Sequence, residues 1–362
     1  MVEQTDRTEA GDWTPHGLAA RAAAADRRAR ATVVIAGADL AIGENGRLDE
    51  QIRLALGAHC RAAMSAVEVA IRRHTLRLLA DQMTAARAEG LLRSADELPA
   101  RLTAAGLLSD PDLVGEMLAR VRQDMLAAAL PMAAGGPDEP SLLVRLSLAP
   151  DVPVARAAGA LLLAESRRRD QFERGQPDGA DLPRSVYDKL VWWVAAAMRG
   201  DAHDAARDQA LAEAAGRCLS AHEDGERADM LAMRLAGAID PRPAEIPSLL
   251  VEAIGDRRIG FFIALLAHTL DLPFEQSRTL TLEPGGDRLW LALRALKLDQ
   301  AAIARIGLAL GDADPARDVE AFAEALDDIV AILPEEAHAA LMPLTLDRRF
   351  LAAIRVVEAG VR

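Results

Sequence analysis

The chain has 362 residues, 51% of them hydrophobic, 27% charged and only 3% aromatic, with a formal net charge of −13. A chain this long and this apolar can repay the entropy of ordering itself, which excludes disorder as its dominant state. Its two cysteines, Cys60 and Cys218, cannot build a disulfide framework or a cysteine-based zinc site, and its longest uncharged stretches, 125–137 and 259–270, fall short of the roughly 20 apolar residues of a membrane-spanning helix.

Apolar spacing is helical nearly throughout, without a convincing alternating β-branched run, so the chain reads as all-α. The opening segment 1–13 carries Glu3, Asp6, Glu9 and Asp12 and lacks the basic-then-apolar order of a signal peptide, which leads to the expectation of a cytoplasmic protein with reduced thiols. Thr14-Pro15 pairs an N-cap with a first-turn proline and opens a helix to about Ile35. The strongest element follows over 49–82. Ile52, Leu56, Cys60, Ala63, Val67, Ile71, His74 and Leu78 step by three or four along one face, with a bend expected near Gly57. Asp110-Pro111 repeats the start signal and opens a helix to about Leu130.

Residues 131–140 (PMAAGGPDEP) form the sharpest boundary in the chain. They divide an N-terminal helical bundle, 1–130, from a second domain, 141–362. The bundle has 16 basic against 18 acidic residues and is nearly neutral, whereas residues 131–362 carry 26 against 37, a balance of −11. A field of that sign repels phosphate backbones, so no nucleic-acid partner is expected, and a basic partner suits the acidic half.

Residues 141–166 read as an apolar helix, a Pro-Asp turn in which Asp151 can cap, and a second helix with Val154, Ala157, Ala158 and Leu162 inward, the pattern of a HEAT-type repeat. Beyond the loop at 175–183, stops at Gly200, Gly225, Pro241, Pro273, Gly285-Gly286, Pro315, Pro334 and Pro343 punctuate short helices, the texture of an irregular HEAT-like helical array. Trp192-Trp193 lies in an apolar helix beginning near Pro183. Two adjacent residues cannot share one narrow stripe, so either the helix is covered on two sides or one indole is available to a partner. Trp192 and Trp193 are therefore the candidate partner-binding residues.

Between 249 and 311, the run Gly255–Ala267 leads into Leu272-Pro273, Arg278, Pro284-Gly285-Gly286 and the apolar segment 289–298. These words resemble the C-terminal part of a bacterial, mainly alphaproteobacterial, all-helical family known only as a domain of unknown function. Residues 24–30, 47–50 and 104–110 resemble the same family. The resemblance implies HEAT-like architecture and supplies no catalytic residues.

Seven histidines, His16, His59, His74, His203, His222, His268 and His338, show no metal-ligand spacing. His268 sits in a segment superficially like a phospho-accepting helix, but Asp271 opposes phosphoryl charge there. His74 has better electrostatics, beside Arg72-Arg73, but faces the apolar stripe. The acid-rich turn 222–226 and Asp327-Asp328 read as solvated surface. Arg27-Arg28-x-Arg30, Arg72-Arg73 and Arg167-Arg168-Arg169 read as solvated helix ends without the aromatics of a nucleic-acid surface. No nucleophile elbow, Walker loop or dinucleotide glycine pattern occurs. The expectation is a non-enzymatic cytoplasmic adaptor or scaffold that binds another protein through a helical-repeat surface, without cofactor, metal or membrane partner. The alternatives are a histidine phosphotransfer or other dispersed-residue enzyme using His74 or His268, and a structural homodimer formed through the helix at 49–82.

Overall fold

The computed structural model describes residues 49–80, 97–132, 140–174, 181–199 and 204–346, and scattered positions at 17–36, 84–92 and 350–357. The protein is all-α. Among the described residues there are fifteen α-helices, a few short 3-10 turns and no strand. Described positions between 17 and 36 are helical, while Thr14-Pro15, Ile35 and most of the Pro/Gly segment at 131–140 lie outside the described residues.

The chain divides into two compact units. One combines Ala31–Arg122 with Gly159–Leu231, and the other combines Met1–Arg30, Gln123–Ala158 and Ala232–Arg362.

The first of these is organised on α1, Glu50–Leu79. Its start was legible because the chemistry is local: the Asp49 carboxylate accepts hydrogen bonds from the backbone N–H of Gln51 (2.8 Å) and Ile52 (3.4 Å). The helix runs through Gly57 and buries Leu56, Cys60, Ala63, Met64, Val67, Ile71, Thr75 and Leu79. The inward face therefore passes through Thr75 and Leu79 rather than His74 and Leu78, which sit half-buried at its margin. A straight helix drifts by about 20° per heptad, enough to carry the stripe one residue over. The buried Thr75 hydroxyl donates to the Ile71 carbonyl at 2.9 Å, so no polar group is stranded.

Against this stripe lie α6 (Arg184–Met198) and α7 (Ala205–Ser220), with α2 (Leu98–Ala104) packed on α6. By length and mean hydropathy, 1.3 in its most apolar window, α1 could cross a membrane. Its apolar residues instead fill this core, and its outer face carries Arg61, Arg73 and Arg77 alongside exposed Leu54 and Val69.

Helix α3 (Pro111–Ala129) starts where Asp110-Pro111 predicts, with the Asp110 carboxylate accepting from Leu113 N–H at 3.0 Å. In the turn between α4 (Leu142–Ser147) and α5 (Val152–Glu173), Asp151 caps Val154 N–H at 3.1 Å as expected. The buried positions of α5 are Val154, Ala158, Leu161 and Ala164, so Leu161 replaces the predicted Leu162.

In the second unit α8 (Ala228–Ile239) leads, past a division of the chain at 231/232, to α9 (Ile246–Gly255), α10 (Ile259–Leu270), α11 (Phe274–Thr281), α12 (Asp287–Ala295), α13 (Gln300–Ala313), α14 (Val319–Ala331) and α15 (Pro334–Leu341). Helix α10 is apolar because it is surrounded: nine of its twelve residues are buried, and it packs on α9, α11 and α12. Two arginines, Arg294 half-buried and Arg317 buried, tie helix ends together. Arg294 donates to the carbonyls of Leu298 (2.8 Å) and Ile332 (2.8 Å), and Arg317 donates to the Thr281 carbonyl at 2.6 Å. Gly286, at φ 67°, lies under the Trp290 indole, whose ring meets Phe322 at 4.5 Å between centroids.

Helices α13 and α14 approach through Gly307 and Gly311, where a Cβ would overlap the Phe322 ring and the Val319 side chain respectively. Gly307→Ala should lower stability by about 1–3 kcal/mol through overpacking. Gly159→Ala, at a helical site with open space around it, should raise stability by about 0.5–1 kcal/mol. Thermal denaturation of the two variants checks both signs.

Candidate functional site

The Trp192-Trp193 pair resolves into two roles. Helix α6 buries Val186, Tyr187, Leu190, Val191, Val194, Ala195 and Met198, a face that leaves Trp192 outside and Trp193 at its edge. Trp192 is 44% exposed, and Trp193 packs half-buried against the core. Together with Ala196 and Ala197 of α6 and Arg101, Leu102 and Ala105 from the α2 segment, they line a groove of about 520 Å³. Arg101 braces it by donating to the Ala197 carbonyl, in the last turn of α6, at 3.3 Å. The lining is apolar except for that one guanidinium.

The histidines separate by environment. His268, in the last turn of α10, has Nε2 3.1 Å from the Asp240 carboxylate, and Asp271 follows at the helix end. A phosphoryl group there would meet two carboxylates. His222 differs from expectation. The turn around it is solvated, with Glu223 and Glu226 exposed, but the imidazole side chain is only 1% exposed and stacks on Tyr187 at 4.4 Å between centroids. Burial lowers its pKa despite Asp224, so it is held neutral. A short α7–α8 connection explains the error: it draws the first turn residue back over Tyr187. His74 lies at the α1 margin among Arg73, Arg77 and Arg217. His338 is exposed, and His16 and His203 lie outside the described residues. Among the described residues, no group of three or more His, Cys, Asp or Glu side chains is placed to hold a metal ion.

All three arginine runs contain ion pairs rather than purely solvated ends, Arg72 binding Glu68 at 2.8 Å. Arg28 lies 3.4 Å from Asp287, and Arg168 lies 3.5 Å from Asp181. The last belongs to a buried network that sequence spacing did not reveal. Arg120, 4% exposed, binds Glu116 at 2.7 Å and Asp181 at 2.5 Å, with Asp229 at 3.9 Å. The Glu116-x-x-x-Arg120 spacing was the only local signal. Burial alone would raise the Asp181 carboxyl, but Arg120, Arg168 and the Ala228 N–H outweigh it and hold the pKa below the ordinary carboxylate value. Every charge in this network faces an opposite one, which marks it as a brace.

Residues 178–342 match the model of a family described as an uncharacterised protein conserved in bacteria, DUF2336. The similarity covers somewhat less than half of the chain. The matched segment contains the whole 249–311 stretch that carries the resemblance, while the words at 24–30, 47–50 and 104–110 fall outside the matched residues. No curated protein and no solved structure matches the chain. The matched segment supplies Trp192, Trp193, Asp181, His222 and Asp229. The α2 wall of the groove and Arg120 come from residues before it.

Removing Arg120 takes a buried cation away from Glu116, Asp181 and Asp229, leaving Asp181 with Arg168 and Asp229 with Arg227, each at 3.5 Å. Arg120→Met should cost about 3–5 kcal/mol near neutral pH. Because the Asp181 pKa is depressed, its contribution is present above its unfolded value of 3.8 and is lost as pH falls through its lower folded value. In the variant, protonation relieves the carboxylates that Arg120 served, so the deficit should shrink as pH falls toward about 4. Urea denaturation of both proteins at the two pH values reads this out.

Proposed function

We propose that this chain is a non-enzymatic cytoplasmic adaptor that binds another protein. Its docking site is the groove under Trp192, and the occupant is a helical segment of the partner with large apolar side chains and a flanking carboxylate. The carrying observation is the exposed Trp192 at the mouth of an apolar groove with a single cation, Arg101. An indole held by its helix yet open to solvent offers a large apolar surface with little entropy left to lose. The groove has the apolar character that accepts helix side chains at i, i+3 and i+4. The lone guanidinium selects for an acid beside those anchors rather than a second base. The helical-repeat texture of the sequence supports the same reading, since stacked helices present grooves of this kind. For the other unit, a basic partner is favoured by residues 318–346, which hold seven acids and no Lys or Arg.

A displayed library of amphipathic helices tests the groove. Enriched peptides should share apolar anchors at helical spacing next to Asp or Glu. Trp192→Ala should weaken them at least about tenfold, equivalent to about 1.4 kcal/mol, while leaving thermal stability nearly unchanged. Equal binding by the wild type and Trp192→Ala would remove the groove as the docking site.

A further inference from the structure

We infer that Arg73, His74, Arg77 and Arg217 form a binding site for a phosphate-type dianion on the α1–α7 surface. The overall charge of the chain is negative, yet this patch gathers cations. On α1, Arg73 and Arg77 are exposed one turn apart, flank the half-buried His74, and make no ion pair with any described residue. Helix α7 runs against α1 so that Ala210 meets Leu79, while Arg217 and Cys218 lie alongside Arg73 and His74.

The charges acting on the His74 imidazole are all guanidiniums: Arg73, Arg77 and Arg217. The single acid of this stretch of α7, Glu213, is held by Arg217 at 2.7 Å, and both are half-exposed. Asp208, farther along α7, is bound to Arg199 at 2.8 Å. From α6, the other helix packed on α1, Lys189 is engaged by Asp110 at 2.7 Å. No carboxylate acts on the imidazole from these elements, and although Arg217 is shared with Glu213, the charge of Arg73 and Arg77 is left uncompensated.

That arrangement is complementary to a dianion with several oxygens. Guanidinium forks reach phosphate oxygens two at a time, and a dianion relieves the repulsion among the three arginines. It also changes the state of His74. Burial, then the three arginines, hold its pKa below 6.5, so the ring is neutral near pH 7 when the site is empty. A bound dianion favours the imidazolium, which adds a fourth cation. Ligand and proton therefore bind together, so a bound dianion raises the His74 pKa.

The test is an NMR pH titration of the His74 ring protons, assigned by their loss in His74→Gln, on the full chain. It is run with inorganic phosphate, with glycerol phosphate, and with chloride at matched ionic strength. Either phosphate probe should raise the His74 pKa by on the order of one unit, corresponding to about tenfold tighter proton binding, and chloride should not. A response to both probes points to the phosphoryl group itself, and a response to the ester alone points to an organic phosphate. In Arg73→Gln/Arg77→Gln, whose exposed side chains can be replaced without disturbing the core, the empty-site pKa should rise and the phosphate response should vanish. No movement with either probe, or the same movement in the double variant, overturns the site.

Discussion

The buried stripe of α1 is the constraint on which one whole unit depends. Leu56, Cys60, Ala63, Met64, Val67, Ile71, Thr75 and Leu79 spend that face on α6 and α7, and everything else about the helix follows from the choice. Burial on one side turns Arg61, Arg73 and Arg77 outward together, which concentrates positive charge on an acidic protein. It also fixes α6 by one face, so that Trp192 falls on the opposite one. The Trp groove and the arginine patch are thus two products of a single packing decision. Each uses the face that the core left over.

What could be read in advance was what local chemistry decides. The helix starts at Asp49, Asp110-Pro111, Asp151 and Pro183 were visible because an N-cap carboxylate or a helix-compatible proline acts within three residues of itself. The α1 stripe was visible in its first half and slipped by one residue in its second, where helical drift accumulates and pattern alone cannot choose between Ile71-His74 and Ile71-Thr75. The family resemblance at 249–311 was sound because α10 is apolar on all sides, a rare enough pattern to recognise.

The remainder depended on tertiary contacts. Arg120 meets Asp181 across 61 residues of chain, and Arg28 meets Asp287 across 259. Nothing in either neighbourhood announces the other. The same holds for His222, whose imidazole is covered by a tyrosine from the start of α6, and for the Trp groove, whose far wall comes from α2. Adjacent tryptophans signalled that one indole would be left over, but only packing decided which.

The division of the chain into its two units has a consequence for synthesis. The unit built on α1 is completed only when residue 231 has been made, and by then residues 123–158, which belong to the other unit, are already present. That segment includes the apolar helix α4 and must wait for helices that have not yet been translated. The nascent chain therefore carries an unsatisfied apolar stretch through much of its elongation, the kind of intermediate that calls for chaperone protection. For the same reason, neither unit can be liberated by a single truncation. Each is threaded through the other in sequence, so gain, loss or exchange of either one during evolution would require several simultaneous cuts.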